Sequence, residues 1–411
     1  MKDLHATLDS VFTMVREKAP RVERHHNLMT LPDEVLSYVI KIACEDARER
    51  SNWDSGREEM DRLVVNLSLV SRRFRNAVVN TASPWTCIDN LYCLATGFDE
   101  RIERSKGLPL TLFIDFGVES DGKRQNILSR IMPIKDRCQR LLARVDAKAA
   151  KEVPAAEFSA ILFFSGCSRN DWSQVFNMWS FPNVTSLQID GAIPPPGLFP
   201  NVTTCTLYYG RRLDGGNFSY RRLLQMLASI PQLRHLTVNF RGADIPLPID
   251  LVPVTLPSVS TITLGDNLDY LLFRVPPPPR LGWILASLIL PNVKDTHLHV
   301  RFQMADKLLS WVNSITPDSE RLREVTSLTI ESLSHLTRDI MHTLFALFRN
   351  IRRLELEAYN IPKTLQGLEQ NLELDQLRVF VPREPFTSKP VHIERGDLDM
   401  LTRYPDDVRI A

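Results

Sequence analysis

His297 and His299 alternate in a stretch with the apolar pattern of a β-strand, so both imidazoles would leave the chain on one side, with Asp295 before them on that side. No other grouping in the chain has the residue types of a transition-metal site. Three alternating residues on a single strand do not converge on one ion, so no metal is expected. His25-His26 reads as a solvated pair ahead of the first domain. Arg72-Arg73-x-Arg75 could meet phosphates, but Lys+Arg 50 against Asp+Glu 49, a formal +1, leaves no basic footprint. It reads as a solvated helix face, and no nucleic-acid partner is expected. The six cysteines include no C-x-x-C, the closest two being Cys87 and Cys93, which argues against a zinc knuckle or a disulfide framework. Gly-x-Ser-x-Gly, Walker and His-Glu-x-x-His signatures are lacking, and 16 glycines leave few loops to cradle phosphate. The expectation is a protein that is not an enzyme and uses no cofactor.

The chain that must position these residues has 411 of them, 44% hydrophobic and 24% charged. At roughly 100–200 residues per domain, two or three folding units are expected. The first thirty residues contain no apolar core of a signal peptide. The longest mostly apolar stretch, Leu281 to Leu290, is about half of the ~20 residues needed to span a bilayer. No membrane partner is expected, and the sequons at Asn183 and Asn201 carry no meaning without secretion. The reading is an intracellular protein, cytoplasmic and/or nuclear, in a reducing compartment.

At the front, Leu4, Leu8, Phe12 and Val15 recur at helical spacing, an amphipathic helix in residues 1–27 whose stripe must cover something. A second helix start follows at Leu31-Pro32-Asp33-Glu34-Val35-Leu36. Pro32 suits a first turn, and Asp33 and Glu34 complement the positive end of the helix dipole. Val35, Leu36, Val39 and Ile40 form its apolar face. After a charged spacer, residues 45–62, the positions Leu67, Val70, Phe74 and Ala77 again have helical spacing, and Pro84-Trp85 ends the unit. Leu31-Pro32-x-Glu34-Val35-Leu36, Leu69-Val70-Ser71-Arg72-Arg73-Phe74 and Pro84-Trp85, in that order, resemble an F-box over residues 28–87. The spacer is longer than in the compact form of that motif. The resemblance implies a small helical module docking on the Skp adaptor, and through it a cullin, of a ubiquitin ligase. Leu31, Pro32, Val35, Leu36, Val70, Phe74 and Trp85 would face the adaptor or support the surface that does.

From Ile88 onward strands replace helices. Leu110, Leu112, Ile114 and Phe116 alternate with Thr111, Phe113 and Asp115, the period of a half-buried strand. A phrase then recurs: Phe181-Pro-Asn-Val-Thr-Ser-Leu-Gln-Ile189, and again from Phe199, Ile230, Leu256 and Leu290, with copies lacking proline from Val325, Ile351 and Leu374. Its core, apolar-x-x-Leu-x-apolar, resembles the strand of a leucine-rich repeat, although the asparagine usual after that strand occurs once, as Asn267. Helical stretches (220–229, 336–348) and a proline loop (276–279) separate the copies. The fold class expected is therefore α+β. A small all-helical F-box-like module precedes an irregular leucine-rich-repeat-like α/β solenoid, in the manner of fungal F-box proteins. Its parts would be residues 1–27, 28–87, a connector with divergent first repeats (88–180), the repeats (181–383) and a cap or tail (384–411). Residues between the apolar positions of the repeat strands would present a face to a target protein, with Gln188, Tyr208, His235, Asn239, His297, His299, Arg353 and Glu355 as candidate contacts. The function this implies is the substrate receptor of an SCF-type ligase; the alternative is an F-box-like scaffold with no ubiquitin role.

Overall fold

The structure, a computed structural model, describes residues 31–50, 56–89, 97–115, 128–144, 155–167, 173–191, 193–209, 219–240, 252–266, 287–300, 324–332, 338–357 and 376–380. The segment 4–15, His25-His26, Asn267, the loop 276–279 and residues 384–411 lie outside them. The chain is a mixed α/β protein that divides into two compact units, residues 1–145 with 158–164 and residues 146–157 with 165–411. Among the described residues no helix is long and apolar enough to cross a membrane.

In the first unit, helix α1 (Asp33–Arg50) starts directly after Pro32, whose carbonyl accepts from the Leu36 N–H at 3.0 Å. The charged spacer is largely helical: α1 runs to Arg50 and α2 (Gly56–Val70) begins six residues later. Helical spacing joins Val70 to Phe74 and Ala77, but the structure interrupts the helix between them. Ser71 is extended (φ −165°, ψ 169°), and its Oγ accepts from the Phe74 N–H at 3.1 Å, which caps α3 (Arg72–Asn80). Val70 therefore belongs to α2 and turns outward, while Phe74 turns in.

Strands β1 (Cys87–Asp89), β2 (Leu110–Asp115) and β3 (Cys138–Arg144) are parallel neighbours, with α4 (Phe98–Arg104) between the first two in sequence. The alternation in β2 predicts one wet face, yet Thr111, Phe113 and Asp115 are buried as fully as Leu110, Leu112 and Ile114. The helices are the reason. Leu36, Ile40, Met60, Val64, Leu67, Phe74, Val78 and Trp85 share one core with Cys87, Phe113 and Leu142. Crossover-linked parallel strands are usually covered on both faces, and here the first helices supply one cover. The boundary expected at residue 87 falls inside this shared core. Trp85 ties the junction: its Nε1–H donates to the Val78 carbonyl at 3.0 Å, and the Arg104 guanidinium lies 4.6 Å from the ring centre.

In the second unit the recurring phrase becomes a turn followed by a strand. In all five proline copies the fourth residue (Val184, Val202, Leu233, Val259, Val293) donates its N–H to the carbonyl of the first, at 3.3–3.5 Å. Proline sits at the second position of that turn, where its fixed φ is already correct. The strands are β4 (Ser186–Asp190), β5 (Thr204–Tyr209), β6 (His235–Phe240), β7 (Thr261–Asp266), β8 (Asp295–Val300), β9 (Ser327–Ser332), β10 (Arg353–Glu357) and β11 (Gln376–Phe380). Each pairs in parallel with the next. Helices α5 (Tyr220–Ala228) and α6 (Arg338–Leu347) fall where helical stretches are expected. Leu187, Cys205, Leu236, Ile262, Thr296, Leu328 and Leu354 form one buried row, and Ile189, Leu207, Val238, Leu264 and Ile330 another. This repetition of strand on strand is compatible with an α/β solenoid.

Candidate binding faces

The first face belongs to the helices of the first unit. Arg73 from α3 fixes the start of α1, its guanidinium donating to Asp33 Oδ1 (2.7 Å from Nε, 2.6 Å from Nη2) and to the Leu31 carbonyl. The Leu-Pro start and the Ser-Arg-Arg-Phe helix are thus one physical device, and Arg73 is accounted for without a phosphate. Arg72 and Arg75 stay exposed, the latter donating from Nε to the Ser68 carbonyl at 3.3 Å.

The seven residues expected at this face separate into two groups. Leu36, Phe74 and Trp85 are buried in the core shared with β2 and β3, so they support the surface and cannot themselves touch a partner. Leu31 is half-buried, while Pro32, Val35 and Val70 are exposed. Three further exposed apolar side chains were not foreseen: Tyr38 on α1, and Val65 and Leu69 on α2. A signal for the last two exists in the sequence. From Leu63 to Val70 only Asn66 and Ser68 interrupt the apolar run, more than one buried stripe can absorb. Met60, Val64 and Leu67 point inward.

The second face is the outward side of β4–β11. Residues there alternate with the buried rows and, apart from the buried Gly265, are half-buried or exposed wherever their side chains are described, so they line up at about 4.8 Å from strand to strand. One row contains Ser186, Thr204, His235, Thr261, Asp295, Ser327, Arg353 and Gln376. The next contains Gln188, Thr206, Thr237, Thr263, His297, Thr329, Glu355 and Arg378, and the third Asp190, Tyr208, Asn239, Gly265, His299, Glu331, Glu357 and Phe380. Tyr208, Asn239 and His299 are thereby gathered in one row. Gln188, His297 and Glu355 share another but are spaced by threonines, and His235 and Arg353 stand far apart in the first. A Cβ on Gly265 would lie 1.7 Å from Asn239 Oδ1, so the Asn239 carboxamide occupies the space this glycine leaves. That contact has a sequence signal, a lone glycine inside a strand pattern.

Among the described residues no group of three His, Cys, Asp or Glu could hold a metal ion. Burial pushes the thiols of Cys138 and Cys205 up to about 12, for Cys138 against the lowering effect of backbone hydrogen bonds to Leu112 and Arg140. Neither is a nucleophile at neutral pH.

No family model matches the chain, and no curated protein matches it. Among solved structures, a Bacteroides fragilis protein determined by the Northeast Structural Genomics Consortium is similar at 15% identity and a TM-score of 0.34, over 73% of each chain. A likeness at that level carries no argument about fold or function.

Proposed function

We propose that the chain is the substrate-receptor subunit of an SCF-type cullin–RING ubiquitin ligase. In this reading residues 28–87 act as an F-box that binds the Skp adaptor, and the leucine-rich-repeat-like strands of the second unit hold a target protein. Support comes first from the F-box-like residue pattern. The observation that carries the reading is that Pro32, Val35, Tyr38 and Val70 present apolar side chains outward while the inward stripes of the same helices are already filled. Exposed apolar groups of this kind mark contact sites for other macromolecules. The chain needs no nucleophile in this role, because holding a target beside a charged ubiquitin-carrying enzyme raises the effective concentration of its lysines. The reading places the protein inside the cell, in cytoplasm, nucleus or both.

The test uses exposed positions. Pro32→Asp and Val35→Asp are each expected to abolish co-purification with the Skp adaptor, with an unchanged denaturant midpoint. Leu36→Asp is a poor probe, since a carboxylate in that buried site unfolds the core. Parent protein that never retains the adaptor overturns the proposal. Adaptor retention with no ubiquitin transfer to any repeat-bound protein would instead assign the scaffold role.

A further inference from the structure

The turns that lead into β6–β10 are joined by one backbone ladder. Ser260 donates its N–H to the Arg234 carbonyl at 2.9 Å, Lys294 to Ser260 at 2.9 Å, Thr326 to Lys294 at 2.8 Å and Arg352 to Thr326 at 2.8 Å. Cation and hydroxyl alternate along it. Ser260 Oγ donates back to the Arg234 carbonyl at 3.3 Å and Thr326 Oγ1 to the Lys294 carbonyl at 3.4 Å, so both hydroxyls are engaged within the ladder. Arg234, Lys294 and Arg352 are exposed instead, and among the described residues none of the three forms an ion pair. We propose that this basic row docks an extended acidic segment of a target protein, with Asp or Glu at every third position.

Spacing and charge select that partner. Neighbouring strands lie about 4.8 Å apart, so cations on alternate rungs recur at about 9.6 Å. A polyproline-II segment rises about 3.1 Å per residue and returns every third side chain to the same side, after about 9.3 Å. A β-extended segment would put side chains three apart on opposite sides. Exposed His235 and Arg353 directly follow Arg234 and Arg352 and widen the row, while the nearby carboxylates of Asp295 and Glu324 lie off the ladder. No aromatic side chain occupies a rung from Arg234 to Arg352, and a formal charge of +1 gives the chain no general attraction for a polynucleotide. The inference rests on the target-holding role proposed for these strands and names the chemistry of the target.

The experiment uses the full chain without any adaptor and follows the fluorescence anisotropy of a labelled peptide of four Glu-Pro-Pro units. The parent is expected to bind it. Arg234→Gln/Lys294→Gln/Arg352→Gln should weaken binding about tenfold, since three exposed charge pairs each contribute modestly. Because all three side chains are exposed, the triple variant should keep the parent's denaturant midpoint. A peptide of the same composition with its four glutamates contiguous should bind the parent about threefold less tightly. No binding by the parent, equal binding of the two peptides, or undiminished binding by the triple variant overturns the proposal. So does binding that survives about 1 M salt, where exposed charges are screened. Single-stranded RNA held more tightly than the peptide, through the same three cations, overturns it too and assigns the row to a polynucleotide. None of these measurements involves the adaptor, so failure here with adaptor capture intact leaves the ligase reading standing. Pro32→Asp should leave peptide binding unchanged.

Discussion

Single residues decide the chemistry at two points of the second unit. Thr296 occupies the slot that Leu236, Ile262, Leu328 and Leu354 fill in neighbouring strands, is 1% exposed, and its Oγ1 has no hydrogen-bond partner among the described residues. A buried hydroxyl left unpaired costs about 1–3 kcal/mol. Thr296→Val, of nearly the same shape, is therefore expected to raise the unfolding free energy by about 1 kcal/mol or more, read from the denaturant midpoint at unchanged slope. Cys205, in the same row, makes a prediction in pH. Its folded thiol, pushed up to about 12, holds its proton more tightly than the unfolded thiol, so between pH 9 and 12 the native state carries the extra proton. Its contribution is fully present below pH 9 and is lost as pH climbs toward 12. The alkaline fall in stability should be shallower in Cys205→Ala than in the parent. Both sites were legible only in part: the repeat pattern locates the slots, but nothing in a single sequence says whether a hydroxyl there finds an acceptor.

At the scale of the element, the proline phrase was the most legible feature, because each of its residues has one physical task. The apolar first and fourth residues are buried and proline sets the turn. The fifth residue's carbonyl accepts from two successive N–H groups of the next repeat, as Thr185 does from Thr203 (2.8 Å) and Thr204 (3.1 Å). The third residue proves to be the tie between repeats. Asn201 Nδ2 donates to the Pro182 carbonyl at 2.8 Å, Asn292 Nδ2 to Pro257 at 2.7 Å and Ser258 Oγ to Pro231 at 2.7 Å. This ladder explains how the strands stack although Asn267 stands alone after its strand: the donors lie in the turn ahead of the strand. Asn201→Ala and Asn292→Ala should each cost about 0.5–1.5 kcal/mol and add nearly independently, being in separate repeats. Thermal unfolding of the single and double variants checks this. Less legible was the break at Ser71, where the 3–4 spacing of Leu67, Val70, Phe74 and Ala77 suits a continuous helix as well as two. Only the preference of serine for an N-cap favours two, and spacing alone cannot weigh it.

For the molecule as a whole, the decisive fact is that the helical segment is not a free-standing attachment. Phe113 and Leu142 come from strands well beyond residue 87, yet they complete the core that Leu36, Phe74 and Trp85 begin, and residues 158–164 belong to the same unit. Periodicity announces that β2 has an apolar face; it cannot say that a second element will cover the other, so a core that crosses residue 87 is not legible in the sequence. A chain lacking residues 28–87 therefore loses more than a docking surface. Removing the helices strips the cover from Phe113 and Leu142, whose exposure to water forfeits about 1.5–3 kcal/mol for each large apolar side chain. The backbone amides of Leu110–Asp115 should then exchange their hydrogens at least tenfold faster than in the parent. In Val35→Asp, whose substitution lies on the outer surface, the same amides should exchange at the parent's rate. If β2 kept full protection after the deletion, the helices would be separable after all, and truncation could replace point substitution as the way to silence them.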